Sequence, residues 1–399
     1  MDAAGVHTLV VNAGSSSIKF AVYRAGKGSL EPQCRGRVEG LGHEPRFTAE
    51  DAAGRRLDGP HGQGSGAGDH KAAFALVLDW IFARFGRQAL GAAGHRVVHG
   101  GTAFAQPVRI DEGVLAGLDG LVPLAPLHQP HNLAAIRALM ALAPDLPQVA
   151  CFDTALHRTM SETTARFAIP RVLSDAGIRR YGFHGLSYES IAGQLAAVAP
   201  GLARGRVIAA HLGNGASLCA MKDGKSVDTT MGLTALDGVP MGTRCGALDP
   251  GVVLYLMREM KLSLKAVEDL LYNRSGLLGV SDISSDMRTL LESAKPAAAE
   301  AVALFVHRVG REIGALAASL GGVDLLVFTG GIGERSPVIR GRVSAAAAWL
   351  GVAVDETANA TGGPCISTAS SRVAVYALPA DEERVIAAHT LAVTSRKAG

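Results

Sequence analysis

Short apolar runs alternate with stretches of helical period along this chain, and the alternation predicts an α/β protein. Residues 8–12 and 18–24 read as two strands around a serine turn, in the stretch VVNAGSSSIKF. Residues 71–85 read as an amphipathic helix carrying Asp79 and Arg84. GHRVVHGG (residues 94–101) reads as a short buried strand with a glycine stop, and residues 133–142 as a helix ended by Pro144. Residues 148–157 read as a strand running into a polar turn, and residues 207–211 as a further strand. Within residues 298–320, Val302, Val306, Val309, Ile313, Leu316 and Leu320 make one helical face, which Gly321-Gly322 ends. Residues 325–328 read as a strand and TGGIGE as a turn. Ser336-Pro337 then supplies an N-cap and first-turn pair for the next helix.

Composition narrows the class. A chain of 399 residues is long for one domain, so two are expected. The net charge is +3, with no polybasic run and no interleaving of aromatic and basic residues, which argues against nucleic acid as the partner. Five cysteines without a CxxC pair fit neither a disulfide framework nor a zinc site and suit a reducing cytoplasm. The N-terminus lacks the basic and cleavable features of a signal peptide, and no apolar run is long enough to span a membrane. HGQGSGAGDH (residues 61–70) has no periodicity and reads as a surface loop.

One segment echoes another. VVNAGSSSIKFAVYRAGK and IAAHLGNGASLCAMKDGK are each a strand, a Gly/Asn/Ser turn and a second strand, with Ser17 and Ser217 in matching places. The echo suggests two similar halves, although Gly-Ser turns between strands are common. DGKS (residues 223–226) lacks the first glycine of a phosphate-binding loop, since Cys219 stands there, and GGIGER is not a dinucleotide fingerprint. Three glycine-rich turns, residues 12–17, 211–215 and 330–334, directly follow apolar strands. Such turns let backbone N–H groups converge on an anion, which favours a phosphate site over plain turns. On a strand, Arg96 and Val98 would share a face, roughly 7 Å apart. That pairing suits a short-chain carboxylate, or an ordinary salt-bridging arginine. Asp153 lies at a strand's C-terminal end, where open α/β sheets bind ligands. His184 and Arg244 sit in glycine-bounded loops. With a lysine, these residue types make a set suited to phosphoryl transfer, which is mostly positioning and charge neutralisation.

VVNAGSSSIKF, GHRVVHGG, PLAPLHQPHNL, FDTALH, YGFHGLSY, HLGNGASL, MGTRCGALDP, TGGIGER and DEERVIA, in this order from about residue 7 to residue 390, together resemble the acetate kinase family. The resemblance implies the duplicated actin-like ATPase (ribonuclease H-like) α/β fold shared with sugar kinases and chaperone ATPases, with the active site in the interdomain cleft. Residues 1–150, completed by a C-terminal helix over about 384–399, would form one domain, and residues 151–383 the nucleotide-binding other. The implied reaction is ATP + acetate ⇌ ADP + acetyl phosphate, by direct in-line transfer with magnesium, or manganese in its place, in a cytoplasmic homodimer. Asn12 and Glu382 would belong to the metal site, and Ser15, Ser17 and Lys19 to the nucleotide side. Asp153 would be the catalytic aspartate, Arg96 and Arg244 the carboxylate and phosphoryl clamps, and His184 the transition-state stabiliser. His211, Leu212, Gly213, Asn214 and Gly215, Asp286, Met287 and Arg288, and Gly330, Gly331, Ile332, Gly333, Glu334 and Arg335 would surround the nucleotide. Val98, Leu127, Phe183 and Ala235 would line the acyl methyl group.

Three positions depart from the family pattern. Ala235 replaces the usual proline and would widen the acyl pocket, which keeps propionate as an alternative substrate. Arg335 stands where Asn is usual, at the adenosine side, and Asp381 replaces the Asn before Glu382. A reading from a different class is a nucleotide switch that hydrolyses ATP slowly. Such a switch has no need of two arginines beside apolar residues, and the chain carries only a short tail after Glu382.

Overall fold

The computed structural model describes residues 6–14, 17–26, 29–41, 45–59 and 70–395. Ser15 and most of the glycine-rich segment 61–70 lie outside them. The chain divides into two compact units, residues 1–155 with 381–399, and residues 156–380. Asp153 and Glu382 therefore belong to the same unit.

Among the described residues, unit 1 forms a seven-stranded sheet of β1 (His7–Ala13), β2 (Ser17–Ala25), β3 (Leu30–Glu39), β4 (Arg46–Asp51), β5 (Leu90–Val97), β6 (Val108–Arg109) and β7 (Gln148–Phe152). Their spatial order is β4-β3-β2-β1-β5-β7-β6. The first four strands make an antiparallel meander, and β5 and β7 run parallel to β1. The helices His70–Phe85 and Gln129–Leu142 share one core with β1, β2 and β3, around Phe20, Phe74, Ile81 and Leu139.

The terminal helix Glu382–Ser395 packs on β5, β1 and β7. Its approach needs Gly94, where a Cβ would stand 2.1 Å from Thr390 Oγ1 and 2.6 Å from Ile386 Cγ2. Asp381 caps this helix by accepting from the Arg384 N–H at 2.9 Å and from Tyr23 Oη at 3.2 Å. The departure from asparagine at position 381 is thus compatible with a capping role.

Unit 2 forms a five-stranded sheet of β8 (Arg206–Leu212), β9 (Ala216–Lys222), β10 (Lys225–Thr229), β11 (Leu325–Thr329) and β12 (Ala374–Ala377), ordered β10-β9-β8-β11-β12. Here three strands, β8 to β10, form the antiparallel meander, and β11 and β12 run parallel to β8. The helix Gly185–Val198 supplies Tyr188, Ile191 and Leu195 to the core over β8, β9 and β11. The helix Pro296–Leu320 also packs on β8, β9 and β10. Its buried stripe contains Val302, Val309, Ile313 and Leu316 as the periodicity predicts, but Phe305 takes the place expected of Val306, and Leu320 is only half-buried. Gly321 ends this helix in the left-handed conformation, with φ 68°.

The duplicated sheet order bears out the α/β expectation, with corrections of detail. The expected strand over residues 94–101 stops at Val97, because the Val98 N–H leaves the ladder and donates to Asn132 Oδ1 at 3.0 Å. Arg96 and Val98 therefore do not share a strand face. TGGIGE is not a plain turn, since the helix Gly330–Arg335 begins directly after β11. Ser17 and Ser217 are not equivalent. Ser217 pairs with His211 inside the second hairpin, whereas Ser17 lies outside the closing pair Ala13↔Ile18 of the first, whose loop is one residue longer. DGKS forms the tight β9–β10 turn, with Asp223 at φ 53° and Gly224 at φ 71°.

Filling the hydrogen-sized gap at Gly94 forces the terminal helix away from β5. Gly94→Ala should therefore destabilise the protein by about 1–3 kcal/mol, read as a lower midpoint in urea unfolding, and an unchanged midpoint would refute this packing account.

Candidate active site

Functional side chains gather at the C-terminal ends of the parallel strands in each unit, and each cluster stands on its own geometry. In unit 1, Arg96 is the last but one residue of β5 and Asp153 directly follows β7. The guanidinium donates to Asp153 from Nε at 3.2 Å and from Nη2 at 2.5 Å, and its Nη1 donates to Asn12 Oδ1 at 3.3 Å. Glu382 Oε2 lies 3.9 Å from Arg96 Nε. Asp153 is 1% exposed, while the Arg96 and Glu382 side chains are 20% exposed. The fork that could grip an external carboxylate is therefore filled by Asp153, and the Nη1 edge faces Asn12.

Burial holds the Asp153 carboxyl above its usual range, against the pull of Arg96. Burial likewise raises Glu382 to about 7, with Asp153 and Glu383 adding to the effect and Arg96 and Lys19 opposing it. Among the described residues no three His, Cys, Asp or Glu side chains form a metal-binding group. Magnesium, however, keeps several waters and needs few protein ligands. The Asn12 amide oxygen and the Glu382 carboxylate, both beside Arg96, are oxygen donors of the kind such an ion takes.

Two buried side chains hold the strand ends in place. Asn132 accepts from the Val98 N–H and donates to the Ala13 carbonyl at 2.7 Å. Gln129 accepts from the His99 N–H at 3.3 Å and donates to the His99 carbonyl at 3.2 Å. Val98 is buried and Leu127 is 40% exposed.

In unit 2 the parallel neighbours β8 and β11 end level, with Thr329 beside His211, so the turns that follow them lie side by side. A Cβ on Gly330, at φ 76°, would stand 2.8 Å from the Leu212 carbonyl oxygen, and one on Gly213 would stand 3.8 Å from the Gly331 nitrogen. Above Gly331 there is open space. The loop carrying Arg244 is tied to the same turn. The Gly242 N–H donates to the Asn214 carbonyl at 3.1 Å, and a Cβ on Gly242 would collide with Asn214 Oδ1 at 2.1 Å. Arg244 Nη1 donates to the Ala235 carbonyl at 3.1 Å.

His184 holds φ 59° at the start of the helix Gly185–Val198. Its ring stacks on His211 with centroids 4.3 Å apart and planes 13° apart, and its Nδ1 pairs with Ser217 Oγ at 2.8 Å. The position of a Cβ on Gly215 lies 3.5 Å from His184 Nε2 and 3.8 Å from Arg244 Nη1. Two nitrogen groups thus converge on a point kept clear by the missing side chain, an arrangement suited to an anionic oxygen.

The remaining predicted residues divide by role. Glu334 Oε1 accepts from the Gly330 N–H at 3.1 Å, the Ala380 N–H at 3.2 Å and the Thr329 hydroxyl at 3.4 Å, so it fastens its own turn. Asp286 caps the helix Met287–Glu292, Met287 is buried and Arg288 is exposed. Ile332 is half-buried and Arg335 is exposed. Phe183 is buried, and its carbonyl pairs with His157 Nε2 at 2.9 Å. Burial lowers His157 to about 4, which keeps it neutral, and its Nδ1 pairs with Ser226 Oγ at 2.9 Å.

Sequence reasoning assigned no role to Asn132, Gln129, His157, Tyr188 or Arg340. Arg340 is 1% exposed and donates to the carbonyls of Gly333 at 3.0 Å, Glu334 at 2.8 Å and Asn359 at 2.5 Å. A signal existed for Gln129 and Asn132, which are polar residues three apart on the otherwise apolar buried face of their helix.

Residues 7–388 match the Acetokinase family. The chain is 54% identical to an acetate kinase of Rhodopseudomonas palustris, over 96% of each chain. It is 51% identical to an acetate kinase of Rhizobium meliloti, over 97% of this chain and 98% of the relative. Among solved structures, a propionate kinase from Francisella tularensis superposes with a TM-score of 0.90 at 34% identity, over 97% of this chain and 100% of that one. An acetate kinase from Porphyromonas gingivalis gives 0.86 at 36% identity, over 98% of this chain and 100% of that one. The chain belongs to the acetokinase family, and its fold is the actin-like ATPase fold of these kinases.

Proposed function

We propose that this member of the acetokinase family transfers the γ-phosphoryl group of ATP to acetate, in line and reversibly, giving acetyl phosphate and ADP. The observation that carries the reading is the convergence of His184 Nε2 and Arg244 Nη1 over Gly215, in a chain whose relatives at about half identity are acetate kinases. Acetate is already ionised at pH 7, so its oxygen needs no general base. Asp153 would orient Arg96 rather than take a proton, and Arg96 would meet the acetate carboxylate through the edge that faces Asn12. Arg244 and His184 would donate to the phosphoryl oxygens as charge spreads over them.

The backbone of residues 211–215 and 330–333, with Arg288, Arg335, Ser17 and Lys19, would hold the nucleotide. Ser15 would join them, outside the described residues. Asn12 and Glu382 would hold magnesium, or manganese in its place, which when bound offsets the phosphate charge. The free cysteines among the described residues fit a cytoplasmic setting.

A second reading, propionate as acceptor, draws on Ala235 and on the likeness to a propionate kinase. One methylene in such a pocket is worth about 1–3 kcal/mol. The deciding assay supplies ATP and magnesium with acetate, propionate or butyrate and traps the acyl phosphate with hydroxylamine. The highest kcat/KM is expected for acetate. A higher value for propionate selects the second reading, and ATP hydrolysis without any acyl phosphate refutes both. In the same assay Gly215→Ala, whose added methyl fits without collision, should lose about a hundredfold in kcat with an unchanged melting temperature.

Glu382→Gln replaces the carboxylate that would hold the metal with a neutral amide. Binding of Mn²⁺ alone, followed by electron paramagnetic resonance, should weaken at least about tenfold, and equal affinity in the two proteins would exclude Glu382 as a ligand.

We also propose a homodimer. The helix Pro250–Arg258 buries none of its residues, and Leu254, Tyr255, Met260 and Leu264 are 55–71% exposed. An apolar surface of this kind marks an interaction site. Leu254→Glu should shift the protein from dimer to monomer in sedimentation velocity, and a wild-type monomer at micromolar concentration would dismiss the assignment.

A further inference from the structure

We propose that Tyr188 and Ser217 are positioning residues that fix the tautomer of His184, placing its proton on the nitrogen that faces the space above Gly215. The inference rests on the reading of His184 as a donor to the transferring phosphoryl group and says how that donor is set.

Ser217 Oγ lies 2.8 Å from His184 Nδ1 and 2.5 Å from Tyr188 Oη. Ser217 and Tyr188 are both 0% exposed. A serine hydroxyl has one proton to give and lone pairs to receive. A phenol, with an ordinary pKa of about 10, is a stronger proton donor than an alkyl hydroxyl, and an imidazole nitrogen is the better acceptor. The chain of hydrogen bonds therefore runs from the Tyr188 O–H to Ser217 Oγ, and from the Ser217 O–H to His184 Nδ1, each bond polarising the next. With Nδ1 accepting, a neutral His184 carries its proton on Nε2. That nitrogen lies 3.5 Å from the point over Gly215 that Arg244 Nη1 approaches to 3.8 Å. An anionic oxygen lying between the two nitrogens, beside Gly215, receives an N–H from each side, and the imidazole need not be charged to provide it.

The surroundings hold the ring in this pose. His211 stacks on it, and Ser187 Oγ pairs with His211 Nδ1 at 2.8 Å. His157 pairs with the carbonyl of Phe183, one residue before His184, and its ring meets that of Tyr188 edge-on at 5.8 Å. The left-handed backbone at His184 is a conformation that a non-glycine residue keeps only when its neighbours over-determine it. Removing the Tyr188 hydroxyl frees Ser217 to reverse and accept from Nδ1–H. A neutral His184 would then turn a lone pair toward the anion.

The test is ¹⁵N NMR of the full-length protein labelled in histidine, with the His184 signals identified by their loss in His184→Asn. The wild type should show Nδ1 unprotonated and Nε2 protonated. Tyr188→Phe, which preserves the ring's shape, should populate the Nδ1–H form and lower kcat about tenfold, with KM for acetate and ATP unchanged. Ser217→Ala should do the same, and Ser217→Thr, which keeps the hydroxyl, should restore most of kcat. A wild-type ring protonated on Nδ1 overturns the proposal, as does a Tyr188→Phe protein with unchanged imidazole signals or unchanged kcat. The spectra require no turnover. A wild type with the expected tautomer that makes no acyl phosphate would overturn the kinase reading and uphold the tautomer.

Discussion

Asp153 is almost wholly withdrawn from solvent, and a carboxylate in that position needs a cation within hydrogen-bonding reach. Arg96 supplies it through two of its nitrogens, and the rest of the unit 1 cluster is arranged around that pair. The third nitrogen reaches Asn12, and Glu382 stands near the same guanidinium. Removing one member of such a pair is destabilising by about 3–5 kcal/mol, because a buried charge is left alone. Two residues of β5 on the same face do different work. Gly94 lets the terminal helix lie close, and Arg96 holds the charge at the end of the strand where that helix begins. Glu382 is therefore positioned by a packing constraint two residues away from the arginine it faces.

Unit 2 reaches its geometry by a different constraint, the closeness of backbone to backbone. β8 and β11 end level, and only hydrogen fits where Gly330 passes Leu212. Backbone groups can then line a site with no side chain intervening. The turns are held from outside by partners that contribute no surface of their own. Arg340 donates to the carbonyls of the turn helix, Glu334 accepts from the turn's first N–H, and Asn214 and Gly242 lock the Arg244 loop to the β8 turn. A buried guanidinium whose partners here are carbonyl oxygens stays charged in an apolar setting only because so many of them converge on it. Burial lowers its proton affinity accordingly.

The sequence disclosed the α/β alternation, the glycine turns after strands and the residues with obvious chemistry, because each leaves a local mark such as a run, a spacing or a charged side chain beside glycine. Arg96, Asp153, His184 and Arg244 stood out in this way. Residues that act by filling another residue's hydrogen bond were silent. Nothing local distinguishes Tyr188, on a helix of ordinary composition, from a core aromatic, since its partner Ser217 lies 29 residues away on β9. His157 and Arg340 were missed for the same reason. The break of β5 after Val97 was also invisible, because the agent is Asn132, 34 residues from Val98 in sequence. The matching of Ser17 with Ser217 failed because sequence similarity aligned residue types, whereas the fold aligns register.

Register shows what the duplication conserved. In the first hairpin the pair just inside the closing pair is Asn12↔Lys19, and in the second it is His211↔Ser217. Carried one residue past Val11↔His95, the β1–β5 register sets Arg96 at the position that Thr329 holds beside His211. From His95↔Ala150 and Phe328↔Ala377, Asp153 corresponds to Ala380, each three residues beyond the matched alanine. One lattice of strand ends thus carries an amide, a lysine, an arginine and an aspartate in unit 1, and a histidine, a serine, a threonine and an alanine in unit 2. In unit 1 the chemistry comes from charged side chains at these points. In unit 2 the same points carry an imidazole and small groups, and Ala380 offers only its N–H, which Glu334 takes. What the two halves share is therefore a set of positions where side chains leave the sheet at its ligand-facing edge. The division of labour between them follows from which residues occupy those positions.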